Sequence, residues 1–335
     1  MEKENLTQKR IRIRKTTVYL LAAGMFFHAG NIAGQQSPLY SQYMLNGFVI
    51  NPALAGADGR IRMSVSVHDY LIGMKNGPKT ISASVSGRFL QSKSKVKKRR
   101  YVHGNSGKVG MGGLIFNDCN GLVRRVGLQY SYAYHVDINT AHTSQLSFGL
   151  SAALSQINID SKSMNFNDFE PLLAEGFGNL SYVPDAVLGI LYRYKAYYVG
   201  LTASNLFQRS INYGEFDYNY VLYRHYFLLA GTSFEFNNKF SFSPSLLAKM
   251  TSNGVYQAEI AAQTSYKEDI WLALAYRTPS VASMMIGFRA GNVFIGYAYE
   301  YNFNAVRTFS KGSQEIVILY RIGDPVRRYS WGTRF

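Results

Sequence analysis

Cysteine is the rarest reactive residue in this 335-residue sequence, and its scarcity excludes two kinds of site. The single thiol, Cys119, cannot form an intrachain disulfide bond, and it cannot supply a cysteine-based zinc site. Any covalent or metal-based stabilisation of the fold must therefore use other residues.

Catalytic signatures are missing as well. The chain has no His-Glu-x-x-His motif, no phosphate-binding loop and no nucleophile elbow. Its histidines are scattered, and His135 with Asp137 is a pair that lacks the third group of a triad. We therefore expect no catalytic residues, no metal ligands and no cofactor, and we predict that the protein is not an enzyme.

Long apolar runs are the third absence. After the first 34 residues no apolar run reaches the roughly 18 residues that a transmembrane helix needs. Residues 17–27 are apolar but too short to span a bilayer, and five basic residues precede them: Lys9, Arg10, Arg12, Arg14 and Lys15. This order is typical of a secretory signal peptide, which we predict over residues 1–34, with an uncleaved anchor as the alternative.

The chain is instead rich in segments of about ten residues that alternate apolar and polar side chains. In the segment Leu146–Leu154 one face carries Leu146, Phe148, Leu150, Ala152 and Leu154, and the other carries small residues. A period of two indicates a strand, and a wholly apolar outer face suits a bilayer. The 26 tyrosines and 21 phenylalanines suit aromatic girdles at the membrane surfaces.

The alternation predicts fourteen strands. They cover residues 60–70, 78–90, 107–118, 121–136, 142–155, 184–194, 196–206, 224–236, 239–250, 254–266, 269–278, 281–290, 291–301 and 314–322. Within 239–250, Pro244 weakens the prediction because proline cannot donate a ladder hydrogen bond. We predict an all-β fold, a transmembrane antiparallel β-barrel over residues 60–322, with a non-strand segment before it (35–59) and a tail after it (323–335).

Loop lengths agree with this strand count. If the first strand runs outward, the long connections 156–183, 207–223 and 302–313 all lie at one end of the barrel. The short ones lie at the other end, as in outer-membrane barrels, whose periplasmic turns are short. The exception is 91–106, a long connection at the short-turn end. The inward residues read from the strands are mostly small, with few charges.

The formal net charge of +16 is concentrated in the leader and in one run of basic residues. That run consists of Lys93, Lys95, Lys97, Lys98, Arg99 and Arg100. Without a recognition module the charge does not predict nucleic-acid binding. We interpret the run as a candidate docking site for an acidic partner, with a solvated turn and contact with lipid headgroups as the alternatives.

Several motifs near the start of the chain are unusual. The first joins Ser41, Gln42, Tyr43 and Asn46 to Asn51, Pro52, Ala53 and Gly56. The second joins Gly73 to Pro78, Lys79 and Thr80, and the third joins Asn117 and Asp118 to Gly121. Together they resemble the PorP/SprF family, outer-membrane proteins of the type IX secretion system in Bacteroidota, over about residues 35–322. Leu71, where that family often has tryptophan, is a departure.

The resemblance implies a barrel in the outer membrane, in contact with its lipid, that is a component or accessory of type IX secretion. It would support the export or surface attachment of proteins with C-terminal sorting domains, such as gliding adhesins. Its partners would be periplasmic and lipoprotein components of the system and the secreted substrate proteins. The alternative is an outer-membrane channel or transporter for hydrophobic small molecules. The segment 35–59 could plug the lumen, either to stabilise the fold or to gate it.

Overall fold

The computed structural model describes residues 42–74, 77–88, 108–121, 123–138, 143–159, 181–213, 218–236, 239–267 and 269–322. The leader, Ser41, the basic run from Lys93 to Arg100, and the tail 323–335 lie outside these ranges. Within them the fold is all-β, as the alternation predicts. No helix in this part of the chain is long and apolar enough to cross a membrane.

Seventeen strands form in the described ranges. They are β1 (Ile61–Asp69), β2 (Lys79–Arg88), β3 (Val109–Asn120), β4 (Val123–Asp137), β5 (Ser144–Ile159), β6 (Ser181–Tyr194), β7 (Tyr197–Ser204), β8 (Ser210–Tyr213), β9 (Tyr218–Val221), β10 (His225–Gly231), β11 (Phe234–Phe236), β12 (Phe240–Thr251), β13 (Tyr256–Tyr266), β14 (Ile270–Arg277), β15 (Val281–Ala290), β16 (Val293–Asn302) and β17 (Ser313–Ile322).

Fourteen of these strands close into an antiparallel barrel. Each pairs with its neighbours in chain order, β17 pairs with β1, and β10 pairs with both β7 and β12. Closure leaves no open edge around the wall, which is what a lipid environment requires of a sheet. The short strands β8 and β9 form a separate hairpin, and β11 adds a short pairing to β12.

The predicted strand 224–236 is interrupted, and the interruption explains why Pro244 is tolerated. Residues 232 and 233 separate β10 from β11, and the Thr232 backbone N–H donates to the Pro244 carbonyl at 3.1 Å. A residue's N–H and C=O point to the same side of a strand, so the missing N–H of Pro244 faces this break. Proline therefore costs one bond at a place where the ladder is already irregular.

The two faces of the wall have opposite character. On β5, Leu150 is 52% exposed on the outer face and Ser151 is 1% exposed on the inner face. Apolar side chains are exposed and polar ones buried throughout the wall, the reverse of a water-soluble protein. Such a surface requires an apolar solvent around the barrel.

The two ends of the barrel differ in their connections. The first strand begins and the last one ends at the end that carries short turns such as 195–196 and 291–292, which we call the short-turn end. The connections 160–180, 205–224 and 303–312 lie at the opposite, long-loop end. Strands β2 and β3 are joined at the short-turn end by the long connection 89–108, as the sequence predicts.

Candidate functional site

Residues 42–58, called the inner segment here, run along the inside of the wall before β1 begins. The segment contains two short 3-10 turns, Gly47–Val49 and Pro52–Leu54. Asn51 is extended, as expected for a residue before proline, and its Oδ1 accepts a 2.9 Å bond from the Ala53 N–H. Hydrophobic residues of the segment are buried against the wall: Tyr43, Leu45, Phe48, Ala53, Ala55 and Ala57.

Three side-chain amides attach the inner segment to different sides of the wall. Gln42 donates to the Glu315 carbonyl on β17 at 3.0 Å. Asn46 donates to the hydroxyls of two serines, Ser64 on β1 at 2.8 Å and Ser84 on β2 at 2.7 Å. These bonds hold the segment to three adjacent strands, β17, β1 and β2, and the third amide holds it to another part of the wall.

Asn51 makes the third attachment and is completely buried. Its Nδ2 donates to the carbonyls of Ile190 on β6, at 3.2 Å, and Leu201 on β7, at 3.3 Å. The same side chain caps the following 3-10 turn through Oδ1, so one amide uses both ends. A buried amide without hydrogen-bond partners would cost about 1–3 kcal/mol of stability. The bonds of Asn51 to the wall and to the Ala53 N–H avoid this cost.

The wall facing the inner segment is lined with glycines. A Cβ added at any of six inward positions would collide with the segment: Gly110 and Gly112 on β3, Gly149 on β5, Gly189 on β6, Gly200 on β7 and Gly296 on β16. Glycine weakens a strand interior and marks places where another backbone approaches closely. These six glycines form a surface against which the inner segment packs closely, and we call this surface the seat.

The last residues of the inner segment are fixed at the short-turn end by charged and aromatic side chains. Arg88 donates to the Gly56 carbonyl at 2.7 Å, and Arg62 donates to Asp58 at 2.7 Å. Gly56 has a positive φ of 63°, and a Cβ there would meet the Gly87 backbone. His135 donates to the Ala55 carbonyl at 3.0 Å, so this histidine holds the inner segment against β4.

The remaining motif residues lie near the long-loop end. Thr80 donates to Asp118 at 2.6 Å, which links β2 to β3, and Asn117 accepts from Arg124 at 3.1 Å. The two glycines, Gly73 and Gly121, have positive φ in turns, and Pro78 and Lys79 lead into β2. The structure thus divides the motif residues into an inner-segment group and a long-loop group.

A buried ion cluster in the lumen is a feature that the sequence did not reveal. Arg277 on β14 bonds to Glu259 on β13 at 2.8 Å and to Glu300 on β16. Ser283 on β15 donates to Glu300 at 3.3 Å. The expectation of few inward charges is wrong, because charged residues on inner faces, also including Arg88, Arg193, Lys249 and Glu315, are nearly fully buried. The sequence did carry a signal for them, because their positions in the apolar–polar alternation place them on the inner face.

Two adjoining cavities occupy the short-turn side of the inner segment, and together we call them the vestibule. The larger, about 460 Å³, is lined by turn residues Lys239 and Lys267 and by Trp271, Phe294 and Arg321. The smaller, about 100 Å³, reaches the inner segment, and the two share several lining residues. The turn lysines show that the vestibule opens at the short-turn end.

A closed antiparallel barrel with an apolar belt and a polar interior defines the class of the protein: it is an outer-membrane β-barrel. In that class the short turns face the periplasm, so the vestibule is on the periplasmic side. The model of the type IX secretion system membrane protein PorP/SprF family matches residues 32–320, and the chain belongs to that family. The resemblance inferred from the motifs is confirmed, and the protein is a type IX secretion component.

Comparison with curated proteins gave no match. Solved structures give distant likenesses. The toluene transporter TbuX of Ralstonia pickettii is 12% identical, with 83% of this chain and 93% of that chain covered, at a TM-score of 0.45. The monoaromatic hydrocarbon channel CymD is 13% identical (83% and 91%, TM-score 0.44), and the outer membrane protein Omp33 of Acinetobacter baumannii is 8% identical (80% and 100%, TM-score 0.43). With such scores these likenesses carry no argument here, and the barrel assignment rests on the strand pairing.

Proposed function

We propose that the protein is a non-enzymatic barrel of the type IX secretion system whose lumen is closed by its inner segment. It supports the export or surface attachment of proteins with C-terminal sorting domains, together with periplasmic and lipoprotein components of the system. The observation that carries the proposal is the seat: six wall glycines and three side-chain amides fit the segment to the wall. A permanently open diffusion pore has no use for such a seat.

The ion cluster argues in the same direction. A channel for hydrophobic small molecules needs an apolar path through the lumen, whereas Glu259, Arg277 and Glu300 are buried there. Moving an apolar solute past these groups would separate them from their partners, which is costly at low dielectric. The transporter alternative therefore has less physical support than the closed scaffold.

Deletion of the gene, followed by proteomics of the culture medium and the cell surface, tests the secretion role. We expect specific proteins with C-terminal sorting domains to disappear from both fractions while the general composition of the outer membrane is unchanged. Loss of uptake of small apolar solutes, with secretion intact, would favour the transporter alternative instead.

Conductance of the purified barrel in planar bilayers tests closure. The wild-type protein should show almost no open-channel current. Replacing the three anchoring amides with alanine, at Gln42, Asn46 and Asn51, should release the segment and produce current. Large current from the wild-type protein, equal to that of the triple variant, would contradict a closed lumen.

A further inference from the structure

The charge of the vestibule is strongly one-sided. Five cationic side chains line it: Arg62, Arg193 and Arg321 deeper in, and Lys239 and Lys267 at its mouth. Two carboxylates face them, Glu235 and Asp58, and Asp58 is paired with Arg62 at 2.7 Å, so the lining carries five positive and two negative charges. A concave site with low-dielectric walls and charges of one sign concentrates ligands of the opposite sign.

We propose that the vestibule is a binding site for an extended, carboxylate-rich peptide segment of a periplasmic protein. The mouth is on the periplasmic side, and its two lysines are exposed. The larger cavity, at about 460 Å³, is in the size range of sites that hold small ligands, and so it can accept several side chains of an extended chain.

Two serine pairs lie in the vestibule beside these cations. Ser241 and Ser265 bond to each other at 2.5 Å, and Ser243 bonds to Ser233 at 2.8 Å. Each pair keeps a hydroxyl donor and lone pairs for a ligand, so the hydroxyls do not discriminate between ligands. The charge of the lining does, because a neutral glycan does not complement it and carboxylates on a narrow, flexible chain do.

The protein's own chain is a poor occupant. The connection between β2 and β3 contributes six basic residues at 93–100, and the tail 323–335 has Arg327, Arg328 and Arg334 against a single carboxylate, Asp324. A second copy would bring the same net charge of +16. Like charges repel, so the vestibule requires a partner of opposite sign.

Fluorescence anisotropy on the purified full-length barrel in detergent micelles tests the proposal. The probe is a labelled twelve-residue peptide of alternating Glu and Thr, with Gln–Thr and Lys–Thr peptides of the same length as comparisons. We expect saturable binding of the Glu–Thr peptide alone, weakened by salt because exposed charges are screened. The double variant Lys239→Gln/Lys267→Gln should bind about tenfold more weakly.

The matched control removes two exposed lysines at the opposite end, Lys79→Gln/Lys311→Gln, and should bind within about twofold of wild type. Both variants must keep the gel shift of a folded barrel between unboiled and boiled samples; Arg321→Gln replaces the first if it does not. Equal losses in the two variants, equal binding of the Gln–Thr peptide, or no saturable binding would overturn the proposal.

Competition identifies other occupants. Displacement of the peptide by inorganic phosphate or free glutamate at matched charge, or by anionic lipid in mixed micelles, would show a general anion or lipid site and would also overturn it. The assay measures binding without secretion, so its failure leaves the secretion role standing. Conversely, a variant that loses secretion but still binds the peptide would show that secretion can fail while this site is intact.

Discussion

Gly149 has no room for a side chain because the backbone of Ala53 occupies the space where its Cβ would be. These two residues are about a hundred positions apart in sequence, one on β5 and the other in the inner segment. Their contact is one of the closest between the wall and the segment, and it offers a way to test that fit.

The variant Gly149→Leu should therefore loosen the inner segment and destabilise the barrel. Forcing extra volume into a packed site typically costs about 1–3 kcal/mol. The measurement is the temperature at which the folded band disappears from unboiled gels, together with bilayer current. Gly113→Leu is the control, since Gly113 has only Val85 nearby, 3.8 Å from an added Cβ. Equal shifts from both variants would mean that Gly149 matters only as a strand residue.

The strands were predictable from sequence because a barrel wall imposes a period of two on each strand separately. Each of the fourteen predicted strands has a counterpart in the wall, but the break after Gly231 and the β8–β9 hairpin within the predicted connection 207–223 were missed. The alternation places one large residue of β16, Phe294, on the inner face. It is buried there, with the Arg321 guanidinium 3.8 Å over its ring.

The seat and the ion cluster were not predictable in the same way. Which glycine faces which part of the inner segment depends on contacts between distant positions, such as Gly189 with Asn51, and no local pattern encodes them. Glu259, Arg277 and Glu300 each look like a single polar residue in an alternating strand. Their bonds arise only when the four neighbouring strands β13 to β16 are placed in a fixed register.

A second prediction concerns the lipid-facing surface. Leu150→Arg should cost about 2–4 kcal/mol because it places a charge in the apolar belt near the middle of β5. Its inward neighbour Ser151 would look like a suitable control from the sequence, but it is fully buried and bonded to Ser131 at 2.8 Å, so arginine does not fit there.

Gln263→Arg is the better control for Leu150→Arg, since Gln263 is half-buried beside the vestibule. The fraction of protein in the folded gel band after refolding into vesicles measures both variants. A smaller loss from Leu150→Arg than from Gln263→Arg would reverse the assignment of the two faces.

The ion cluster gives a third prediction. Arg277→Met should destabilise the barrel by about 3–5 kcal/mol, because it leaves the carboxylates of Glu259 and Glu300 buried without their cation. Adding Glu259→Gln and Glu300→Gln should restore most of the stability, as neutral amides need no counter-ion. The readout is urea-induced unfolding in vesicles.

Arg289→Met serves as the comparison for Arg277→Met. Arg289 also has an acidic partner, Asp269 at 2.6 Å, but this pair is partly exposed at the short-turn end. Ion pairs of that kind contribute about 0–1 kcal/mol. If the two arginine variants lose equal stability, or if the triple variant is no better than Arg277→Met alone, the cluster is not a buried site in which the carboxylates depend on their cation.

The fourth prediction concerns the basic run in the connection between β2 and β3, which lies outside the described residues. Its flanking strands end at the short-turn end, and it is the one place on that side where the sequence supplies a long connection. A connection that is longer than a turn requires is typical of a functional loop. We propose that Lys93, Lys95, Lys97, Lys98, Arg99 and Arg100 dock an acidic surface of a periplasmic component.

Changing all six residues to Ser or Gln should leave barrel assembly normal, because the pairing of β2 with β3 is made by other residues, and should reduce secretion of substrate proteins strongly. Gel shift and outer-membrane yield measure assembly, and proteomics of the medium measures secretion.

Docking through exposed charges also predicts that co-purification of the partner weakens as salt rises, since such charges are screened beyond about 8 Å at physiological ionic strength. Normal assembly with normal secretion would show that the run is only a solvated turn. Failed assembly would instead make it a folding element, and the docking role would be lost with it.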